Sequence, residues 1–199
     1  MGVVEEEQIV DRLDTLDYGL AELRRVVGAL DDSVMDGPSN CQPWSVRRLA
    51  SHALNNQLVW AGLVTGQQLV ALEDAVGAVP INGNLGPVAV DFTTRAMALW
   101  RTVGILDAVH TTPFGVLPGS AVIDFAIIDA VAHSWDLSTS IGRRFEFDPA
   151  QIPVLTEVVA ATCTDAAREH RLIESPTDVP VDATDTERLM SAAGRALHR

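Results

Sequence analysis

Between Ser120 and Ile141 the sequence is apolar on almost every helical face, and this limits the fold more than any other feature. At about 100° per residue, Ile123, Ile127 and Val131 fall on one side of a helix. Val122, Phe125, Ala126 and Ala132 fall on the other. A helix that is apolar all round is a buried one, so this segment is expected to be the central helix of its domain. Asp129, His133 and Asp136 share the second of those sides. His133 lies about 40° to one flank of Asp129 and Asp136 about 20° to the other. Polar groups in such a place must be paired, because taking them out of water without a partner is costly. Two arrangements satisfy this. Asp129 and His133 can hydrogen-bond at i,i+4 and orient the imidazole. Alternatively, the same carboxylate and imidazole can ligate a divalent metal, which brings positive charge to the site.

The rest of the chain reads as further helices around that one. Val10, Leu13, Leu16, Leu20, Leu23 and Val27 recur at helical spacing, predicting a first helix over Ile9 to Leu30. Gly37-Pro38-Ser39-Asn40 interrupts, and Ser45 is a good N-cap for a second helix reaching about Val64. Gly83-Asn84-Leu85-Gly86-Pro87 reads as a loop. A third helix is expected over Val90 to Val109, burying Phe92, Ala96, Leu99, Trp100 and Val103. His110 to Gly119 should be irregular or a short hairpin. The fourth helix, Ser120 to Ile141, is closed by Gly142. A fifth runs from Pro149 to about His170, and Leu172 to Asp182 is Pro-rich and extended. Asp185 to Leu197 forms a terminal helix capped by Thr184 or Asp185. The expected architecture is an all-α four-helix bundle, one domain over residues 1–199 with a short C-terminal extension.

Composition excludes several functions. The chain carries 27 acidic and 14 basic side chains, a formal charge of −13, and every basic residue is arginine. Without lysine there is no Schiff-base amine and no Walker-type phosphate loop. The acidic balance argues against nucleic acid and against anionic membrane surfaces. Cys41 and Cys163 are too few for a disulfide framework or a four-cysteine zinc site. The acidic N-terminus lacks the apolar run of a secretory signal, and no stretch approaches the ~18 apolar residues of a membrane span. A soluble cytoplasmic protein is the expectation, and the apolar fourth helix leaves a homodimer open.

His52 faces inward on the second helix with Leu49, Asn56, Val59 and Leu63. It is either a satisfied core histidine or a third metal ligand, according to whether the second and fourth helices are neighbours. His110 reads as a helix C-terminal cap, and His170 and His198 as solvated. Cys163 reads as a buried filler, and Cys41 sits in the loop ahead of the second helix. Trp44 reads as a staple on that helix's entry. Asn55 and Asn56 border His52 as pocket-lining or exposed amides. Arg47 and Arg48 are solvated, or one of them holds a substrate carboxylate.

Cys41-x-x-Trp44-x-Val46-x-x-Leu49-x-x-His52 resembles the second-helix signature of the DinB-like metal-binding superfamily. Pro113-Phe114-Gly115-x-Leu117-Pro118-Gly119, Asp129-x-x-x-His133-x-Trp135-Asp136-Leu137 and Gly142-Arg143 resemble the second signature of its actinobacterial branch. That branch includes the N-terminal domain of mycothiol-dependent maleylpyruvate isomerase. The resemblance covers most of the chain. It implies a bundle of four long helices and a metal, often zinc, held by His52, Asp129 and His133. Asp136 would then support the ligands or pair with an arginine such as Arg143. The isomerase has Glu where this chain has Asp129, one methylene shorter. The resemblance further implies a metal-dependent thiol transferase or isomerase, with mycothiol as cosubstrate and a small electrophile as substrate. The other readings are a non-catalytic metal- or small-ligand-binding module, and an interaction protein that has lost the metal.

Overall fold

A computed structural model of the chain describes residues 2–112, 115–169 and 173–197, with side chains from Arg12 onward. Pro113, Phe114, His170 and His198, all singled out above, lie outside the described residues. The chain divides into two compact units, Met1–Arg143 and Arg144–Arg199.

The first unit is the bundle. Its elements are α1 (Gly2–Gly28), α2 (Val46–Thr65), α3 (Leu72–Val76), α4 (Leu85–Trp100), β1 (Val109–Thr112), β2 (Gly115–Pro118) and α5 (Gly119–Ser140). Four long helices close a ring in which α1 packs on α5 and α4, and α2 packs on α4 and α5. Leu16, Leu20, Leu23 and Val27 bury the predicted stripe of α1. Each such side chain contributes about 1.5–3 kcal/mol relative to exposure. From Val122 to Ser138 nearly all of α5 is buried or half-buried, as its all-round apolarity requires. Because α2 and α5 touch, His52 and the Asp129–His133 face belong to neighbouring helices.

Boundaries followed local chemistry. Ser45 caps α2, its side chain accepting from Arg48 N–H at 3.4 Å. Gly142, at φ +71, closes α5 by donating to Thr139 O at 3.0 Å. The third long helix departs from expectation. It begins at Leu85, because Asn84 Oδ1 accepts from Gly86 N–H and Pro87 fits a first helical turn. It stops at Trp100, so Val103 lies beyond its end and is 99% exposed. The segment after it turns back, and β1 and β2 pair antiparallel with His110 opposite Leu117.

The turn at 101–108 is seated on the start of α5. Gly119 N–H donates to Ala108 O at 2.9 Å and Ser120 N–H to Leu106 O at 3.0 Å. A Cβ on Gly119 would stand 2.1 Å from Ile105 O and 2.9 Å from Leu106 Cα, which is backbone and cannot swing aside. Gly119→Ala is therefore expected to lower stability by about 1–3 kcal/mol, read as a fall in the urea midpoint at unchanged slope. An unchanged midpoint would refute this packing.

The second unit contains α6 (Ile152–Thr162), α7 (Asp165–Glu169) and α8 (Asp185–Ala192). The helix expected from Pro149 onward is broken at Cys163, whose ψ of 53° is not helical. Arg168 donates to the freed Cys163 carbonyl, and the Cys163 side chain is buried as expected. The described part of the Pro-rich stretch is irregular. Thr184 caps α8 in a full capping box with Glu187. Among the described residues no helix is long and apolar enough to cross a membrane.

Candidate metal centre

The loop 37–45 and helices α2, α3 and α5 build one polar centre in the first unit. Asn40 ties the loop to the last turn of α5, its N–H donating to Ser140 Oγ at 2.9 Å and its amide to Thr139 Oγ1. That attachment brings Cys41 and Trp44 to the site.

His133 is the hub. It is 6% exposed and lies between two carboxylates of its own helix. Its Nδ1–H donates to Asp136 Oδ2 at 2.9 Å, and Nε2 is 3.1 Å from Asp129 Oδ1. The Cys41 thiol also reaches Asp136 Oδ2, at 3.4 Å. Asp136 is 1% exposed and supports the imidazole from behind. The sequence reads this face as an i,i+4 hydrogen-bonded pair or as two metal ligands, with Asp136 beside them as a support. The structure makes it a chain of three, with the second carboxylate on the opposite ring nitrogen.

His52 approaches from α2, its ring 5.0 Å from that of His133 and edge-on to it at 76°. Its Nδ1 is 2.7 Å from Ala75 O, and since a carbonyl only accepts, Nδ1 carries the hydrogen. In the neutral ring the lone pair is then on Nε2, where the Asn56 amide donates at 3.1 Å. Trp44 packs on the same ring at 4.7 Å, a contact beyond the staple expected of it. Trp60, which the sequence reading passed over, donates its indole N–H to Asp129 Oδ2 at 3.1 Å.

The electrostatics favour an imidazolium at His133 beside an ionised Asp129. Burial disfavours the imidazolium of His133, yet hydrogen bonds to Asp129, Asp136 and Cys41 hold its pKa well above the usual range. Burial pushes the carboxyl of Asp129 up. The bond and charge of His133, the charge of His52 and the Trp60 N–H outweigh this and hold it below the usual range.

Ligand atoms of His52, Asp129 and His133 all lie within 4.8 Å of one another. Two imidazole nitrogens and a carboxylate oxygen form a donor set that zinc accepts. The 3.1 Å between His133 Nε2 and Asp129 Oδ1 is near the ~3.3 Å edge of a tetrahedron with bonds of ~2.0–2.1 Å. Both imidazoles are also anchored through Nδ1, one by a backbone carbonyl and one by a carboxylate, as metal-ligating histidines are. These residues could hold a divalent ion. Cys41, His133 and Asp136 form a second cluster within 4.8 Å, in which Asp136 Oδ2 accepts from both the thiol and the Nδ1–H.

Other candidates fall elsewhere. Arg47 donates to Ile81 O and Gly83 O, and Arg48 to Ala78 O and Gly77 O. Both clamp the 77–83 connection, so neither matches the solvated reading. His110 is on β1 and not at a helix end, with Nε2 2.8 Å from Ile105 O. Asn55 is buried, whereas Asn56 meets His52. A cleft of about 590 Å³ opens farther along α2, lined by Val59, Leu63, Leu69, Leu72, Val109 and His110 among others. Val59 is about two turns, ~10 Å, from His52 on the same helical face. The cleft also borders α3, the helix whose Ala75 carbonyl anchors His52.

Comparison with known proteins agrees with this architecture. The crystal structure of the mycothiol-dependent maleylpyruvate isomerase superposes with a TM-score of 0.60 at 18% sequence identity, covering 76% of this chain and 69% of that one. At that identity the likeness is one of fold. No curated protein matches the sequence. The model of the mycothiol maleylpyruvate isomerase N-terminal domain matches residues 16–138, a span that runs from α1 to the end of α5 and includes His52, Asp129, His133 and Asp136. The chain belongs to the mycothiol maleylpyruvate isomerase N-terminal domain family.

Proposed function

We propose that this protein binds one divalent ion, zinc before others, through Nε2 of His52, Nε2 of His133 and Asp129, the Asn56 amide giving up its place on His52 Nε2 to the ion. On this reading it works as a thiol-dependent transferase or isomerase on a small electrophile, with mycothiol as the thiol. The observation that carries the reading is the convergence of two Nδ1-anchored imidazoles on one carboxylate. Family membership supports the choice of thiol.

When bound, such an ion supplies an open position at which a thiol is deprotonated and becomes a nucleophile at neutral pH. The chain's own residues do the rest. Asp136 and the Ala75 carbonyl fix which nitrogen each imidazole presents. Trp44 packs on the His52 ring and the Trp60 N–H holds Asp129. The cleft beyond Val59 seats the apolar body of the electrophile, its size falling within the usual range for small-molecule sites.

Protein prepared without a histidine tag is expected to carry close to one ion per chain by elemental analysis. It is expected to turn over members of a panel of small electrophiles only when mycothiol or a simpler thiol is present. Metal without any thiol-dependent turnover would convert the reading to a non-catalytic binding module. Absence of metal after growth and purification in zinc would remove the site altogether.

A further inference from the structure

We infer that Trp60 is a positioning residue that confines Asp129 to ligation through a single oxygen, and so sets a low coordination number at the centre. The inference rests on the metal reading above and goes beyond it to the role of a residue outside the ligand set.

The geometry divides the two oxygens of Asp129 between different partners. Oδ2 accepts the Trp60 indole N–H at 3.1 Å, while Oδ1 stands 3.1 Å from His133 Nε2. The indole nitrogen is a donor only, so it holds an unprotonated carboxylate oxygen and offers nothing to a cation. The ring itself is fixed. It stacks on Phe125 at 5.5 Å and 17°, and Phe125 lies one turn before Asp129 on α5. Trp60 therefore grips the same stretch of α5 at two points, a ring face and a carboxylate oxygen. Asp has one torsion fewer than Glu, so fixing Oδ2 also aims Oδ1. With Oδ2 held outward, two nitrogens and one oxygen remain for the ion. That is the three-ligand arrangement that leaves room for an exchangeable thiol or water.

Trp60→Phe keeps the ring stacked on Phe125 and removes the N–H alone. The probe is Co²⁺, loaded into metal-free wild type and variant, with visible absorption and chelator competition as readouts. Wild type is expected to show the intense bands of four-coordinate cobalt. The variant, its carboxylate free to bind through both oxygens, is expected to show weaker bands of a higher coordination number. Its affinity should fall about tenfold, within the usual range for losing a hydrogen bond to a ligand. Identical bands in both proteins would overturn the inference, even if Trp60→Phe lowered the melting temperature of the metal-free form, because that is what a purely structural role gives. Failure of wild type itself to take up cobalt would overturn the metal reading and this one with it.

Discussion

His133→Ala is expected to bring bound metal from near one ion per chain to none. His133 stands between Asp129 at 3.1 Å and Asp136 at 2.9 Å, the first half-buried and the second buried by the same helices. Removing the imidazole takes away a ligand and also deprives the buried Asp136 and the half-buried Asp129 of their shared partner. Breaking a buried pair from one side costs about 3–5 kcal/mol. A second consequence separates loss of the ion from loss of the fold. Wild type in metal at a hundred times the dissociation constant should gain about 2.7 kcal/mol against urea, and the variant should gain nothing. Elemental analysis and paired urea titrations, with and without zinc, read both effects. A variant that keeps its ion, or that is still stabilised by zinc, would remove His133 from the ligand set.

Asp136→Ala is expected to weaken metal binding by up to about 100-fold without changing the number of ions bound at saturation. Asp136 Oδ2 accepts from His133 Nδ1 and fixes the ring so that Nε2 faces Asp129. Outer partners of this kind carry about 10–100-fold in affinity. Asp136→Asn retains an oxygen that accepts from Nδ1–H but loses the charge, so its affinity should fall between those of wild type and the alanine variant. Chelator competition orders the three proteins. Equal affinities across the series would reduce Asp136 to a packing residue. A stoichiometry of zero in the alanine variant would make it a ligand, contrary to its position behind the ring.

The centre was legible where its information lies along one helix. Asp129, His133 and Asp136 recur at i, i+4 and i+7 inside an apolar segment, and both the burial and the need for pairing follow from that pattern. His52 was legible as an inward-facing residue, but its partnership depends on α2 lying against α5, which periodicity does not encode. Trp60 falls two turns beyond His52 and matters only through the same adjacency. The Ala75 carbonyl left no trace at all, because a main-chain acceptor is carried by every residue type. The fold shows the same division. Capped ends such as Ser45 and Thr184 were readable, whereas Pro87 looked like a breaker and in fact occupies an opening turn of α4. The interruption at Cys163 has neither Gly nor Pro to announce it.

The two imidazoles are held by anchors of different kinds, and this has a consequence for how the site can change over generations. His133 depends on a side chain, so one codon change at Asp136 loosens it. His52 depends on the main chain of a five-residue helix that Arg47, Arg48 and Ser51 tie down through the connection after it. Substitution at Ala75 leaves that carbonyl where it is. Insertion or deletion between Gly66 and Asn84 moves it. Half of the centre is thus exposed to point mutation, and the other half to changes in loop length.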